Sequence, residues 1–242
     1  MKRATRRRLF WAIVGVALIC FFLWTAIVNQ NSEKAPKTEE KTEVVEAETN
    51  ENAPLATEVL AKLEIKGRAP KTGYKRDEFY EDWPKIDGCS LRQRIIKREF
   101  GDSAVLKDSC DVISGEYDEP YTGQHKVFQQ KTEISKGVQI DHIVALSNAW
   151  QTGAQYLDKT ARYQMATDPL NLLAVDASAN QQKSDGDAAT WLPANKGFRC
   201  QYVARQVSVK YKYKLWTTEA EHTKIAEILE KCPNERAIGV EL

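Results

Sequence analysis

Two short stretches decide the fold: residues 138–146 have the sequence VQIDHIVAL, and residues 170–184 have the sequence LNLLAVDASANQQKS. The first stretch is apolar and β-branched, and residues 170–175 are also apolar, which predicts two strands. Residues 176–184 begin with acidic and hydroxyl-bearing side chains, which is typical of a helix N-terminus. The pattern therefore predicts a strand, an insertion, a second strand and a short helix.

Polar side chains occupy defined places in this pattern. Asp141 and His142 lie near the end of the first predicted strand, Asn171 lies on the second, and Asn180 lies in the first turns of the helix. If the strands form a hairpin with the helix packed over it, Asp141 and Asn180 meet and offer two oxygen ligands to a divalent cation, Mg²⁺ first and Mn²⁺ as an alternative. Adjacent strand residues point to opposite faces, so the strand must end or bulge at this point.

Outside this unit, apolar residues at three- and four-residue spacing predict further helices. The last of them begins with Thr218 and has Glu221 three residues later, which is the pattern of a capping box. The predicted helices span residues 90–100, 148–165, 198–213 and 218–231.

The N-terminal part has a different composition. Residues 1–8 carry five basic side chains, and residues 9–28 form a run of 20 residues without a charge. At ~1.5 Å per residue this run is long enough to span a hydrocarbon core of ~30 Å. We expect a single-pass transmembrane signal-anchor at residues 9–28, with a cytoplasmic basic segment at 1–8 and the rest of the chain outside the cell. The sequence leaves open whether the anchor is cleaved.

The residues that follow divide into a linker, a domain and a tail. Residues 29–56 are rich in Glu, Lys, Thr and Asn and lack apolar periodicity, so we expect a disordered linker. Aromatic residues become frequent after this point. We place one domain at residues 57–236, which is long enough for one substantial core, and a short tail at 237–242.

Four of the five cysteines lie in the predicted domain. An even number of cysteines outside the cytoplasm predicts two disulfides rather than free thiols. Four cysteines allow three pairings, and closeness along the chain favours Cys89–Cys110 and Cys200–Cys232. A zinc site built from all four is disfavoured because no pair has CxxC spacing.

The distribution of charge is uneven. The whole chain has 35 basic and 34 acidic residues, but residues 183–214 hold seven Lys or Arg against two Asp. Such a concentration predicts either a basic face that binds a phosphate backbone or a solvated run of charges.

The order of the polar residues resembles that of a known family. The runs 141–144 (DHIV) and 171–173 (NLL), followed by Asn180 with Lys183 and Asp185, are similar to the HNH (His-Me finger, ββα-metal) nucleases, including the HNH domains of RNA-guided CRISPR effectors. The chain most resembles secreted Gram-positive proteins with the C-terminal domain of GmrSD restriction enzymes. Further similar stretches, from Leu60 to Cys232, are GRAPKTGYKRDEF, YTGQ, DHIVALSNAW, NLLAVDASANQQKSD, WLP and RCQYVARQVSVKYKY.

This resemblance implies a role for each matching residue. His142 is implied as the general base, Asp141 and Asn180 as the metal ligands, and Asn171 as the support of the loop that carries the histidine. The third motif position is Asn180 rather than histidine, which favours a hard cation over zinc. Two further residues are candidate phosphate contacts, with a plain surface charge as the alternative: Lys183 and Arg199.

We therefore expect an α+β fold with a ββα-metal core embedded in extra helices and held by two disulfides. The expected function is metal-dependent endonucleolytic hydrolysis of DNA outside the membrane, with RNA as an alternative substrate. A second hypothesis is a catalytically silent, surface-anchored module that binds nucleic acid or wall polymer through residues 183–214. The polar set at positions 141, 142, 171 and 180 favours the enzyme.

Overall fold

The computed structural model describes residues 52–241 of the chain. The predicted basic segment and anchor, and the predicted linker up to residue 51, lie outside the described residues. Within residues 52–241, no helix combines the length and the apolarity that crossing a membrane requires.

The described residues form a mixed α/β fold. Short 3₁₀ turns connect several of the elements. The α-helices are α1 (Ala56–Leu60), α2 (Leu91–Phe100), α3 (Lys131–Gly137), α4 (Leu146–Gln151), α5 (Lys159–Thr167), α6 (Ala177–Lys183), α7 (Arg199–Lys212) and α8 (Glu219–Leu229). The strands are β1 (Lys85–Ile86), β2 (Cys89–Ser90), β3 (Val105–Lys107), β4 (Asp111–Asp118), β5 (His125–Phe128), β6 (Val138–His142) and β7 (Leu172–Asp176).

The hairpin predicted from the sequence is present. Strands β6 and β7 pair antiparallel, with His142 opposite Leu172. Helix α6 follows β7 directly because the Asp176 side chain accepts a hydrogen bond from the Ala179 backbone amide and caps the helix. Strand β6 is shorter than predicted and ends at His142, which meets the condition that the strand must end where the two polar residues lie.

The insertion between the two strands differs from the prediction of a single helix. Its helical residues divide into α4, a 3₁₀ turn and α5. Gly153 follows α4 and has a φ of 130°, a backbone conformation that favours glycine. A Cβ at this position would also lie only 3.2 Å from the Trp216 ring, so the close packing favours glycine as well. Asp158 then accepts a hydrogen bond from the Ala161 amide and starts α5.

A three-stranded antiparallel sheet, β3–β4–β5, was not predicted. It packs against α2 and α3 through a core in which Phe100 stacks on Tyr117 and Phe128, with centroid distances of 4.9 and 5.8 Å. Its strands alternate weakly, and Val105 and Val127 lie exposed on its outer strands. The local sequence therefore lacks the regular pattern by which a strand is recognised.

Helix α7 is the central helix of the largest core. The predicted packing of its apolar residues is confirmed, because Tyr202, Val203, Val207 and Val209 are all buried. The predicted basic stretch 183–214 does not present all of its charges to solvent. Three of its seven basic side chains lie inside the protein, namely Lys183, Arg205 and Lys210, and three are exposed, namely Lys196, Lys212 and Lys214.

Both predicted disulfides are confirmed. Cys89, before α2, joins Cys110, between β3 and β4, with 5.3 Å between the Cα atoms. Cys200 in α7 joins Cys232, which follows α8, with 6.3 Å between the Cα atoms. Each disulfide therefore fixes one end of a helix to a distant part of the chain.

The predicted limits of the domain lie inside the packed structure. Leu55 and Arg236 form an isolated antiparallel bridge between the two ends of the described chain. Ala53, Ala237 and Val240 are buried, and the latter two belong to the largest core.

Candidate functional site

The polar residues singled out from the sequence share one cavity. It has a volume of about 330 Å³ and opens to solvent beside the β6–β7 hairpin. Asp141 and His142 reach it from the end of β6, and Asn180 reaches it from α6. A segment far away in sequence forms the opposite side with Lys71, Tyr74 and Arg76.

The imidazole of His142 is buried and oriented. Its Nε2 lies 2.9 Å from the backbone oxygen of Ala166. A carbonyl oxygen only accepts hydrogen bonds, so Nε2 carries the proton and Nδ1 is the free, unprotonated nitrogen. The Trp83 ring lies parallel to the imidazole with 6.0 Å between centroids, and the Tyr80 ring lies 5.9 Å away. Burial is the main cause that lowers the pKa of His142 to about 3; the charges of Arg76 and Lys183 act in the same direction, and the hydrogen bond to Ala166 opposes them.

The carboxylate of Asp141 has two partners inside the protein. Lys183 Nζ lies 2.9 Å from Oδ1, and the hydroxyl of Tyr121 donates to Oδ2. The same ammonium donates to the backbone oxygen of His142 at 2.8 Å, so it joins the two neighbouring residues of the strand end. Burial raises the pKa of Asp141 above its ordinary value, while Lys183 and Tyr121 act in the opposite direction and favour the charged carboxylate.

Asn180 lines the same cavity as the strand end. Its amide nitrogen donates to Gln139 Oε1 at 2.9 Å. Its amide oxygen has no protein partner within residues 52–241, which leaves this oxygen for a ligand of the cavity. Together with the carboxylate of Asp141 it forms an all-oxygen donor pair. In the part of the chain that the structure describes, no group of three or more His, Cys, Asp or Glu side chains is arranged around one point.

Asn171 is fully buried and holds the loop that follows His142. Its Oδ1 accepts from the Val144 amide at 2.9 Å, and its backbone oxygen accepts from the Ile143 amide at 2.8 Å. Its Nδ2 donates to the Met165 oxygen at 3.2 Å. One side chain therefore joins the loop after His142 to the last turn of helix α5, which supplies the carbonyl bound to the imidazole.

The two candidate phosphate contacts lie in different places. Lys183 is 1% exposed and its ammonium is paired with Asp141, so it lies behind the carboxylate rather than on the surface. Arg199 is partly buried, and its Nε donates to the Pro193 oxygen at 2.8 Å. Arg199 does not line the cavity that contains His142.

Several residues of this site were missed by sequence reasoning. Tyr121, Tyr80 and Trp83 contact the central side chains only through the tertiary fold, and no local spacing marks them. Residues 66–76 have the sequence KGRAPKTGYKR, and all but Lys66 belong to the stretch GRAPKTGYKRDEF of the family resemblance, which implied no role for them. The sequence of this stretch does indicate a basic surface, since it holds five basic side chains and no acidic one.

Comparisons with known proteins show which family the chain is similar to. The family model described as "GmrSD restriction endonucleases, C-terminal domain" matches residues 91–228. A protein of Arthroderma benhamiae named "Uncharacterized secreted protein" is 33% identical over 184 residues, which cover 75% of this chain and 86% of that protein. No solved structure matches the chain.

Proposed function

The chain belongs to the family of the C-terminal domain of GmrSD restriction endonucleases, and from this premise we propose that it is a metal-dependent endonuclease that hydrolyses phosphodiester bonds of DNA. The observation that carries the proposal is the state of His142. Its free Nδ1 is held by the bond from Nε2 to Ala166, and it shares a solvent-open cavity with two oxygen donors. The β6–β7 hairpin followed by α6 is the ββα-metal core of this proposal.

His142 acts as the general base in this proposal. A base must be unprotonated at the working pH and must be held in reach of the attacking water. The lowered pKa keeps the imidazole neutral throughout the neutral range. The bond to Ala166 and the rings of Tyr80 and Trp83 fix the plane of the imidazole, so that Nδ1 can take the proton of a water bound in the cavity.

Asp141 and Asn180 fit a divalent cation. Hard oxygen donors suit Mg²⁺ or Mn²⁺, and the open cavity leaves room for water and phosphate oxygens around them. A carboxylate has about four lone-pair positions, so Asp141 retains acceptor capacity beside Lys183 and Tyr121. When bound, such a cation would offset negative charge that develops on the phosphate and on the leaving oxygen.

Asn171 and Lys183 support the reacting groups without contacting substrate. Asn171 fixes the loop on one side of His142 and the Ala166 turn on the other. Lys183 is enclosed, so we assign it to the orientation of Asp141 and of the strand end rather than to phosphate binding. Arg199 lies outside the cavity and has no part in the proposed reaction.

We place the activity outside the cytoplasm. The similar Arthroderma benhamiae protein is named as secreted, and two disulfides are typical of an oxidising compartment. Attachment to the cell membrane through residues 9–28 remains part of this proposal. The second hypothesis, a binding module without activity, loses part of the surface it required, because three of the seven basic residues of 183–214 are buried.

A plasmid-nicking assay on the full-length protein tests the proposal. Cleavage should require Mg²⁺ or Mn²⁺ and should stop in chelator. His142→Ala should lower the rate roughly 10²–10⁴-fold, the usual contribution of a general base. His125→Ala is the matched control, since this histidine is exposed and lies on another sheet. A folded protein that nicks no plasmid with any divalent metal, or a His142→Ala variant that cleaves normally, would contradict the proposal.

A further inference from the structure

Segment 66–76 is the strongest concentration of exposed positive charge next to the cavity. Its five basic side chains are Lys66, Arg68, Lys71, Lys75 and Arg76, and all five are exposed. No acidic residue interrupts them. The proposed reaction uses none of these residues, although three members of the segment line the cavity.

The backbone of segment 66–76 is fixed by the rest of the fold. The indole nitrogen of Trp216 donates to the Gly67 oxygen at 3.1 Å, and that of Trp150 donates to the Thr72 oxygen at 3.3 Å. A rigid backbone presents its side chains at set positions, which lowers the entropy cost of binding a ligand along it.

Four of the five basic side chains of the segment divide into two groups, and the fifth, Lys66, forms an exposed pair with Glu64. Arg68 and Lys71 are bound to Asp187 and Asp185 in the loop after α6, at 2.6 and 3.1 Å. These pairs attach the segment to the fold. Within residues 52–241, the other end of the segment keeps positive charge with no acidic partner at Lys75 and Arg76.

Arg76 lines the cavity and is held against Tyr80. Its guanidinium lies 5.2 Å from the centre of the Tyr80 ring and donates to the hydroxyl of that tyrosine. It lines the same cavity as His142 and is close enough to lower the pKa of the imidazole. A polyanion that enters the cavity is therefore attracted by the positive charge at this end of the segment.

The N-terminal end of the segment lies beside an exposed aromatic surface. Tyr156 is 71% exposed and stacks on Trp216, with 6.1 Å between ring centroids and 29° between the planes. Trp216 is the residue whose indole holds Gly67, and Lys66 Nζ lies 5.4 Å from its ring centre. An aromatic face next to basic side chains is the combination that binds unpaired bases and their phosphates.

We propose that segment 66–76 binds the sugar–phosphate backbone of a single strand of nucleic acid, and that Tyr156 receives one of its bases. This binding proposal rests on the proposed hydrolysis at His142, and it states in addition which surface holds the substrate. A single strand is favoured over a duplex because bases inside a duplex are already stacked on one another, whereas an unpaired base is free to stack on a tyrosine.

The proposed role of Tyr156 can be tested by fluorescence anisotropy. The affinity of the full-length protein for a labelled oligothymidylate is measured in the presence of a chelator, which prevents cleavage. Tyr156→Ala should weaken this affinity roughly 5- to 150-fold, the range for loss of one base–aromatic stack. Tyr156→Phe keeps the ring and should bind as the wild type does. Tyr163→Ala, at another exposed tyrosine on α5, is the matched control. The wild type and these three variants should bind a blunt duplex with the same affinity.

The salt dependence of the same binding tests the basic end. Lys75→Gln should reduce the slope of log affinity against log salt by about 0.7, the value for one phosphate contact on a single strand. Lys97→Gln removes another exposed lysine, on α2, and should leave the slope unchanged.

Comparison with the nicking assay separates this proposal from the proposed function. If the wild type cleaves DNA but the Tyr156 and Lys75 variants bind the oligonucleotide normally, the binding surface is refuted and hydrolysis stands. If these variants lose affinity but no metal supports cleavage, the surface stands and hydrolysis fails. Equal losses for duplex and single strand would overturn the assignment to a single strand.

Discussion

Segments 66–76 and 183–214 are both rich in lysine and arginine, but the fold uses these charges in opposite ways. The first is a loop whose five basic side chains are exposed beside the cavity. The second contains α7, in which nine of fourteen residues are buried, and buries three of its seven basic side chains. The number of charges in a stretch therefore does not locate a binding surface, because the packing of its backbone decides which charges reach solvent.

The largest expected loss of stability comes from removing a buried charge of segment 183–214. Lys210 Nζ lies 2.9 Å from the Glu221 carboxylate, and both side chains are fully buried. Lys210→Met leaves that carboxylate without a counter-charge, so the free energy of unfolding should fall by about 3–5 kcal/mol. Denaturant unfolding of the full-length protein measures it.

A double variant tests the cause of this loss. Lys210→Met together with Glu221→Gln removes both charges, and most of the lost stability should return. If the single variant loses less than about 1 kcal/mol, the ion pair is not what holds α7 to α8.

The second effect concerns the covalent bond that fixes α7 at its other end. Cys200 and Cys232 are separated by 32 residues. Replacing both with serine should lower the free energy of unfolding by between about 3 and 4 kcal/mol, because the unfolded chain regains the freedom that the closed loop removes. The same denaturant experiment measures it, with reduced wild type as a second sample. An unchanged midpoint would show that packing alone holds these helices.

The sequence was sufficient for the elements whose pattern is local. Both strands of the β6–β7 hairpin, helices α2, α7 and α8, and the Thr218–Glu221 capping box all follow from spacing within a few residues. The disulfides followed from closeness along the chain. Strands β3 to β5 were missed because their buried positions do not alternate regularly.

The candidate site was predictable only in part, for a physical reason. The sequence placed Asp141, His142 and Asn180 near one another, and the structure puts all three at one cavity. It could not show that Lys183 is buried, because a lysine three residues after Asn180 on a helix faces solvent or protein according to what covers the helix. Here strand β6 packs against helix α6, and its Asp141 forms an ion pair with the ammonium group of Lys183.

The third effect concerns the ion pairs that attach segment 66–76. Arg68 is partly exposed, but its partner Asp187 is buried, so Arg68→Gln removes a charged hydrogen bond from an enclosed carboxylate. The free energy of unfolding should fall by about 1 kcal/mol, less than for a fully buried pair because solvent screens the arginine. Lys66→Gln is the control, since its pair with Glu64 is exposed on both sides and should contribute almost nothing. Equal effects would contradict the difference in burial.

The smallest expected effect is the loss of stability when Asp185 is protonated. This residue pairs with Lys71 and is the second residue that attaches segment 66–76 to the fold. A hydrogen bond from the Ser147 hydroxyl at 2.9 Å, and then Lys71 at 3.1 Å, lower the pKa of this carboxyl below its ordinary 3.8. A lowered pKa in the folded protein means that the attachment contributes stability above pH 3.8 and loses it as the pH falls through the lowered value. Segment 66–76 should therefore stay attached at pH 5 and loosen only in stronger acid.

Carbon-13 NMR of the Asp185 carboxyl measures this pKa directly. Ser147→Ala and Lys71→Met should each move it upward toward 3.8, because each removes a group that favours the charged form. Lys75→Gln should leave it in place, since Lys75 has no acidic partner within the described residues and belongs to the end of the segment left free for substrate. A wild-type value at or above 3.8 would show that Lys71 is available to a ligand, and the division of segment 66–76 into attached and free charges would be wrong.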